Sequence, residues 1–317
     1  MKNIIVVCFV MIFVFVGQIK SDTWPASGSW TYLEPPTEFG AVNAYALGID
    51  GQNIVGYYND GTEENDKGFF YNGTTWTTIN PIDAICTYVV AASGNNCAGY
   101  YLDSSYNNHG FFYNGAYTFF DAIEGNNTTY VSGISGNKIV GGYEDAGNGQ
   151  GFIYDRISET YTFLTKSGAV SLSPNNIDGS NVIGEYYDGT ASHNFFYNGT
   201  SWNSNPDALL IGDVTRLFDI DGSNILGDYA DSSGLLHNFL YDGVDSYDLP
   251  NVNIAGATKT SFSGISGDNI AGWYINASGY SHIFVYNTVT VSEPSALVIL
   301  TTALVVGALF FLRKKLI

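Results

Sequence analysis

The sequence predicts an all-β protein: a six-bladed β-propeller of four-stranded blades, closed by an N-terminal strand and followed by a C-terminal transmembrane helix. Three observations predict this fold: a repeat of 42 to 45 residues, a strand-rich composition, and an N-terminal segment that matches a strand missing from the last repeat. The 317 residues include 37 Gly, 24 Tyr and 20 Phe, but only 13% are charged. This composition favours short strands and tight turns over helices.

Each repeat contains an anchor glycine, which in the clearest copies follows a Gly-Ile-x-Gly motif and an apolar pair. The anchor glycines are Gly56, Gly99, Gly141, Gly184, Gly227 and Gly272. A tyrosine lies two residues beyond each anchor, at Tyr58, Tyr101, Tyr143, Tyr186, Tyr229 and Tyr274. An aspartate or asparagine lies four residues beyond it, at Asp60, Asp103, Asp145, Asp188, Asp231 and Asn276.

A Phe-x-Tyr sequence follows in every repeat, and its two rings share one face because side chains alternate along a strand. Asn-Gly or Asp-Gly often comes next, which is a hairpin signal, and an aromatic residue opens a fourth strand. A unit of four short strands cannot bury its faces alone, and at this period a propeller is the leading architecture. The propeller is predicted over residues 22–290.

The sixth repeat ends before a fourth strand. The segment from Ser29 to Pro35, before the first repeat, matches the fourth strand that opens at Trp76. We therefore expect the N-terminal strand to complete the last blade. Closing the ring in this way removes the exposed strand edges that an open stack would present.

Two terminal segments are predicted to direct the chain out of the cytoplasm. Lys2 and the apolar run from Ile4 to Val16 predict a secretory signal peptide over residues 1–21. Residues 296–312 carry no charge and are long enough to span a hydrocarbon core as a helix. The basic cluster that follows would remain cytoplasmic, so everything before the helix would lie outside.

The last 27 residues, 291–317, resemble the PEP-CTERM sorting signal of bacteria. The resemblance is carried by a short motif, the apolar helix and a terminal basic cluster: Ser292, Glu293, Pro294, Arg313, Lys314 and Lys315. Ser292 stands where the family usually has its first proline. The resemblance implies an exosortase-like processing enzyme as a partner. It also implies a cell-surface location, with the protein either anchored in the membrane or released into the extracellular matrix after processing.

The repeats, over roughly residues 41–290, resemble the bacterial extracellular HAF repeat, which is named for a His-Ala-Phe triplet. The matching triplets here begin at His109, His193, His237 and His282, and Lys67 and Gln150 stand in the other two repeats. HAF-type repeats often accompany PEP-CTERM tails. Neither resemblance implies a reaction.

The charge distribution restricts the partners. Residues 22–293 hold all 30 acidic residues and only six of the 11 basic ones, a formal charge of −24. Such a surface repels phosphate backbones, which argues against nucleic acid as a partner. Cations, cationic surfaces and neutral sugars stay compatible with it.

No residue pattern predicts catalysis or a cofactor. The four histidines occupy one repeated position, so each is interpreted as a strand-start residue bonded to a turn carbonyl rather than a single base or one metal site. The repeated Asp or Asn is interpreted as a turn cap. The loop with Asp60, Glu63, Glu64 and Asp66 is the densest acidic set and a calcium candidate, although it lacks a dedicated calcium-loop spacing.

Three cysteines are present. Cys8 lies in the signal peptide, while Cys86 and Cys97 flank the first hairpin of the second repeat. If that hairpin turns near Gly94, Cys97 is opposite residue 91 or 92. Cys86 is then five or six residues away on that partner strand, a distance of about 17 Å. Because a disulfide needs Cα atoms within about 7 Å, the two cysteines are expected not to bridge.

Three functions follow from these observations. The first is an exported structural or interaction protein at the cell surface. The second is a polysaccharide-binding module that uses exposed aromatics such as Trp24 or Trp273, which requires an aromatic platform on one face of the ring. The third is a glycan-active propeller enzyme, which requires two carboxylates roughly 5 to 10 Å apart in a cleft.

Overall fold

The computed structural model describes residues 28–62, 66–125, 128–203, 215–249, 254 and 256–288. These residues form six antiparallel sheets of four strands each. The sheets follow one another along the chain as the blades of a propeller, each with its first strand innermost. The prediction of an all-β, six-bladed propeller with four-stranded blades is therefore confirmed.

The chain begins its described part with β1 (Ser29–Leu33) and a one-turn 3₁₀ helix (Thr37–Phe39). Blade 1 contains β2 (Asn43–Asp50), β3 (Asn53–Asn59), β4 (Lys67–Tyr71) and β5 (Trp76–Ile79). Blade 2 contains β6 (Cys86–Ser93), β7 (Asn96–Leu102), β8 (Asn108–Tyr113) and β9 (Tyr117–Phe120). Blade 3 contains β10 (Tyr130–Ser135), β11 (Lys138–Asp145), β12 (Asn148–Asp155) and β13 (Thr160–Leu164).

Blade 4 contains β14 (Ser171–Asp178), β15 (Asn181–Tyr187), β16 (Ser192–Tyr197) and β17 (Trp202–Asn203). Blade 5 contains β18 (Thr215–Asp221), β19 (Asn224–Ala230), β20 (Leu236–Tyr241) and β21 (Ser246–Asp248). Blade 6 contains β22 (Ala257–Ser266), β23 (Asn269–Asn276) and β24 (Ser281–Asn287), with β1 as its fourth strand.

The hydrophobic core lies between neighbouring blades. The phenylalanine of every Phe-x-Tyr sequence is fully buried: Phe69, Phe111, Phe152, Phe195, Phe239 and Phe284. Between blades 1 and 2, for example, Val55 and Ile79 pack with Val89, Cys97 and Phe111. Each blade therefore buries its apolar faces against the two neighbouring blades, which is why the repeats depend on one another for stability.

The seam between the first and last blades contains a strand from the N-terminal part of the chain. β1 pairs antiparallel with β24, and Trp30 is opposite Tyr286. The Trp30 ring lies 4.3 Å from the Tyr286 ring and 5.2 Å from that of Phe284, centroid to centroid. The Asn43 side chain of blade 1 accepts a hydrogen bond of 3.0 Å from the Ser281 amide of blade 6.

The two cysteines of blade 2 are free and buried, as their spacing predicts. Cys97 is opposite Ala92 and Cys86 is opposite Leu102, at the two ends of the β6–β7 pair. Burial raises the pKa of the Cys97 thiol to about 12. Cys97 therefore behaves as a small apolar core residue, unreactive at neutral pH.

Several predictions fall on residues outside the described ranges: the signal peptide at 1–21, the sorting signal at 291–317 with its helix at 296–312, and Trp24. Within the described ranges, no helix has the length and apolar character needed to cross a membrane.

Candidate functional site

A belt of six hydrogen bonds encircles one end of the central channel. The belt residues are the last residues of the inner strands, at position x of the Gly-Ile-x-Gly motif: Asp50, Ser93, Ser135, Asp178, Asp221 and Ser266. Each side chain accepts a hydrogen bond of 2.5–3.0 Å from the glycine amide that follows the belt residue of the next blade. The last bond joins blade 6 to blade 1, from the Gly51 amide to Ser266 Oγ.

One buried carboxyl breaks the symmetry of this end of the channel. Asp219 occupies the position of Gly48, Gly133 and Gly264 in the other repeats, and it lines a cavity of 160 Å³. It accepts a hydrogen bond from the Asn176 side chain and another, at 2.6 Å, from the Ile265 amide. Burial raises the pKa of Asp219 to about 7, against the opposing effect of hydrogen bonds from the backbone amides of Ile265 and Ile220. Asp219 thus bridges three blades.

The other end of the channel opens into a wider cavity of 580 Å³. We call this opening the mouth. In each blade a residue of the first strand pairs with the residue directly after the anchor glycine, and in blades 2 to 6 at least one member of this pair lines the cavity. The pairs are Tyr45–Tyr57, Tyr88–Tyr100, Tyr130–Gly142, Ser173–Glu185, Arg216–Asp228 and Ser261–Trp273.

Six aromatic rings form a continuous arc along blades 6, 1, 2 and 3 of the mouth. We call Trp273, Tyr45, Tyr57, Tyr88, Tyr100 and Tyr130, in that order, the aromatic arc. Successive ring centroids are 5.2, 4.7, 5.0, 5.1 and 5.3 Å apart, within the range of favourable aromatic pairs. Trp273, Tyr100 and Tyr130 line the cavity itself, and Tyr130 is 39% exposed. The other five rings of the arc are half-buried.

Blades 4 and 5 contribute charged side chains to the mouth. Arg216 forms a bidentate ion pair with the buried carboxylate of Asp228, with Nε–Oδ1 and Nη2–Oδ2 distances of 3.1 and 2.6 Å. Glu185 lines the cavity beside them and is half-buried. Burial raises the pKa of Glu185, while the Arg216 guanidinium acts in the opposite direction. One side of the mouth is therefore aromatic and the other is charged.

The hydroxyl of Tyr88 fixes part of the arc to blade 1. It donates a hydrogen bond of 2.7 Å to Asp66, whose carboxylate also accepts one from the Asn59 side chain. Burial and this hydrogen bond raise the pKa of Tyr88, and burial raises the pKa of Tyr100 to about 12. The phenols of both are therefore neutral donors at physiological pH.

Trp273, one of the two aromatics predicted to bind polysaccharide, lies in the aromatic arc. Of the calcium candidates, Asp66 is buried and supports Tyr88, Asp60 is exposed and caps its own turn through the Thr62 amide, and Glu63 and Glu64 lie outside the described ranges. Within the part of the chain that the structure describes, no group of three or more His, Cys, Asp or Glu side chains could hold a metal ion.

The repeated histidine and the repeated Asp or Asn form one unit. In four blades the histidine is the second residue of the third strand and its ring lies 5.0–5.3 Å from the repeated tyrosine ring. The unit pairs are His109–Asp103, His193–Asp188, His237–Asp231 and His282–Asn276, with side-chain distances of 2.7–3.4 Å. The expectation of a turn carbonyl as the partner is therefore wrong, because the ring nitrogen faces an Asp or Asn side chain instead.

The Oδ1 oxygen of each Asp or Asn in these units, which is not the atom that faces the histidine, caps the turn, as predicted. Asp188 Oδ1 accepts from the amides of Thr190 and Ala191 at 2.8 and 2.9 Å, and the same arrangement recurs at Asp103, Asp231 and Asn276. In blade 3 the turn is different: Asp145 pairs with Asn148 across two residues with positive φ.

These caps make the turns sensitive to acid. The Asn107 amide lowers the pKa of Asp103 to about 2, and the Thr190 hydroxyl lowers the pKa of Asp188. A lowered pKa means that folding favours the ionised form. This contribution to stability is complete above the unfolded value of about 3.9 and is lost as the pH falls towards the folded value.

Replacement of the histidines is expected to have small, similar effects. His193→Gln keeps a donor for Asp188, and Gln150 already stands at this position in blade 3, so we expect a loss of about 0.5–1.5 kcal/mol or less. Thermal unfolding of the four single His→Gln variants would measure it, with Gln150→His as the reverse control. A single histidine whose loss abolished ligand binding at unchanged stability would contradict this structural role.

The residue after the anchor glycine is the signal that sequence reasoning missed. The anchors, the tyrosines and the Asp or Asn positions repeat almost unchanged, whereas this position reads Tyr57, Tyr100, Gly142, Glu185, Asp228 and Trp273. A position that varies among otherwise similar repeats is one where each blade can carry a different side chain for binding. The difference between this variable position and the repeated positions around it would have indicated the mouth.

Comparison with known proteins finds similarity only among solved structures. No family model and no curated protein matches the chain. The structure is similar to the β-propeller domain of the Trilobed protease from Pyrococcus furiosus, at 11% identity over 77% of this chain and 82% of that one, with a TM-score of 0.43. It is also similar to the six-bladed fungal lectin of Aleuria aurantia (15% identity, 67% and 80% covered, TM-score 0.42) and to TolB from Acinetobacter baumannii (14%, 77% and 63%, TM-score 0.47).

Proposed function

We propose that this propeller is an exported binding protein that takes a polysaccharide at the mouth of its channel. The observation that carries the proposal is the aromatic arc, which presents six rings from four blades in one continuous row. Sugar rings have apolar faces of C–H groups that pack on aromatic rings, and polar side chains at the edge of such a site fix their orientation. A purely structural protein at the cell surface would need no such row.

Binding to immobilised polysaccharides tests this proposal. The full chain, purified in detergent, is expected to bind at least one glycan on an array. Trp273→Ala and Tyr100→Ala should each weaken binding by about tenfold or more, because buried aromatic anchors dominate binding energy. Tyr280→Ala is the matched control, since Tyr280 is exposed in the same blade as Trp273 but outside the mouth. Equal losses in all three variants would contradict the role of the arc.

The proposed function includes export and sorting. Residues 1–21 would direct secretion, and an exosortase-like enzyme would process the tail at 291–317. The support for this is the sequence pattern: a basic residue before an apolar run at one end, and the Ser-Glu-Pro motif, apolar stretch and basic cluster at the other. The −24 charge of residues 22–293 suits a soluble, exposed domain.

Replacing Arg313, Lys314 and Lys315 by Gln is expected to release more of the protein from the membrane. The three cations hold the end of the predicted helix on the cytoplasmic side, and their loss weakens that stop. Membrane and medium fractions of producing cells would be compared by immunoblot. The same distribution for the wild type and the variant would rule out a stop-transfer role for the cluster.

We also propose that β1 acts as the closing strand of the ring. It covers the outer edge of β24, which would otherwise expose a row of unpaired backbone groups. Trp30 packs beside Tyr286 and Phe284, so the strand adds apolar burial as well as backbone hydrogen bonds.

A further inference from the structure

A cation of the chain itself lies against one of the aromatic rings that line the mouth. The ammonium of Lys259 lies 5.2 Å from the centroid of the Trp273 ring, within the range of a cation–π interaction. Lys259 is exposed, on a strand whose register shifts between Ala257 and Lys259. Its position demonstrates that the aromatic arc can accept an ammonium ion on a ring face.

The opposite side of the mouth has two carboxylates and one guanidinium, so its net charge is negative. Arg216 is engaged by Asp228 in a bidentate pair, and Asp228 is buried behind it. Glu185 lines the cavity next to this pair, where it interacts with the Arg216 charge and with the Asn175 side chain, and the three charges sum to −1. Because Glu185 is half-buried, a cation at the mouth would interact with it more strongly than with an exposed carboxylate.

The charge of the whole propeller favours the same kind of ligand. At −24 over residues 22–293, the protein repels polymers that carry carboxylates, sulfates or phosphates and attracts polymers that carry ammonium groups. An aromatic surface beside a carboxylate is also the arrangement that recognises ammonium ions in proteins.

We infer that the mouth recognises a cationic polymer of amino sugars, and that Lys259 in the free protein occupies the place of a sugar ammonium. The pyranose rings pack along the aromatic arc, and an ammonium group lies between a ring face and the Glu185 carboxylate. This inference rests on the proposed function, of which it names the substrate class. Two side chains then act in opposite directions: Glu185 attracts the ligand and Lys259 competes with it.

Oligomers of glucosamine and of N-acetylglucosamine, matched in length, test the inference. They differ in charge but share the sugar ring. By titration calorimetry of the full chain in detergent at mildly acidic pH, the charged oligomer is expected to bind about tenfold more tightly, and only its affinity should fall as salt is added. This salt comparison needs no variant protein.

Two variants separate the roles of the charges. Glu185→Gln should remove most of the preference for the charged oligomer, and Lys259→Gln should raise its affinity severalfold, with little change for the N-acetylated oligomer. Lys166→Gln is the matched control, because Lys166 also lies over a ring, 4.0 Å from that of Tyr186, but outside the mouth. It should leave the preference unchanged.

The outcomes distinguish this inference from the proposed function. Equal, salt-independent binding of both oligomers would overturn the inference and leave polysaccharide binding intact. Binding to no sugar of any kind would overturn both. Oligolysine that binds as tightly as the glucosamine oligomer would also overturn the inference, because charge alone would then be recognised without the sugar ring.

Discussion

Deletion of residues 22–36, which include β1, is expected to lower the melting temperature sharply and to cause aggregation. The deletion removes the hydrogen bonds to β24 and the packing of Trp30 against Tyr286 and Phe284. It also bares a strand edge that can pair with another molecule. Since a domain of this kind is stable by only about 5–15 kcal/mol, the loss of one strand is a large fraction of the total.

Single substitutions in β1 test whether side-chain packing contributes to stability, separately from the loss of the whole segment. Trp30→Ala is expected to destabilise by about 3 kcal/mol, the lower end for a large aromatic, because Trp30 is half-buried. Thr31→Ala, at the exposed neighbouring position, is the control and should change little. Calorimetry and size-exclusion chromatography would measure stability and aggregation. A deletion variant that melts like the wild type would show that β1 does not close the ring.

Gly141→Ala is expected to destabilise blade 3 by about 1–3 kcal/mol or more. A Cβ at this anchor would overlap the carbonyl oxygen of Tyr130 and would lie 2.7 Å from the buried Phe152 ring. Neither neighbour can yield easily, since the first is backbone of the paired strand and the second fills the core between blades. The change should lower the melting temperature by several degrees.

Gly149→Ala in the same sheet is the matched control for this prediction. The nearest heavy atom to a Cβ at Gly149 is 4.0 Å away, so the methyl group makes only an ordinary van der Waals contact. Chemical unfolding of both variants would give the two free energies of unfolding. Similar losses at the two positions would mean that the close approach at the anchor does not limit the fold.

Much of the fold could be predicted because each blade is built from local signals. Phe152 and its counterparts each lie two residues before a tyrosine on one strand, and this period of two places both rings on the same face. The separation of Cys86 from Cys97 follows from one hairpin and its turn. Such features depend on neighbouring residues, so the sequence contains them without any knowledge of the ring.

The histidine units were predicted only in part, for a physical reason. The position of His193 near the start of β16 follows from the repeat, and the capping role of Asp188 follows from its place at the end of β15. That the two meet depends on how the hairpin twists, which brings His193 Nε2 within 3.0 Å of Asp188 Oδ2. A carbonyl partner was equally compatible with the sequence alone.

Periodicity and composition are local properties, so the number of blades, their strands, the buried faces and the acidic character of residues 22–293 could all be read from the sequence. Where the functional side chains meet depends on the tertiary structure. Tyr130 and Trp273 lie far apart in the chain but line one mouth, and Tyr45 contacts Trp273 because closure of the ring places blade 6 beside blade 1. Glu185 faces them from blade 4 for the same reason. A repeat predicts which residues are equivalent, whereas their convergence on one channel depends on how six blades pack around an axis.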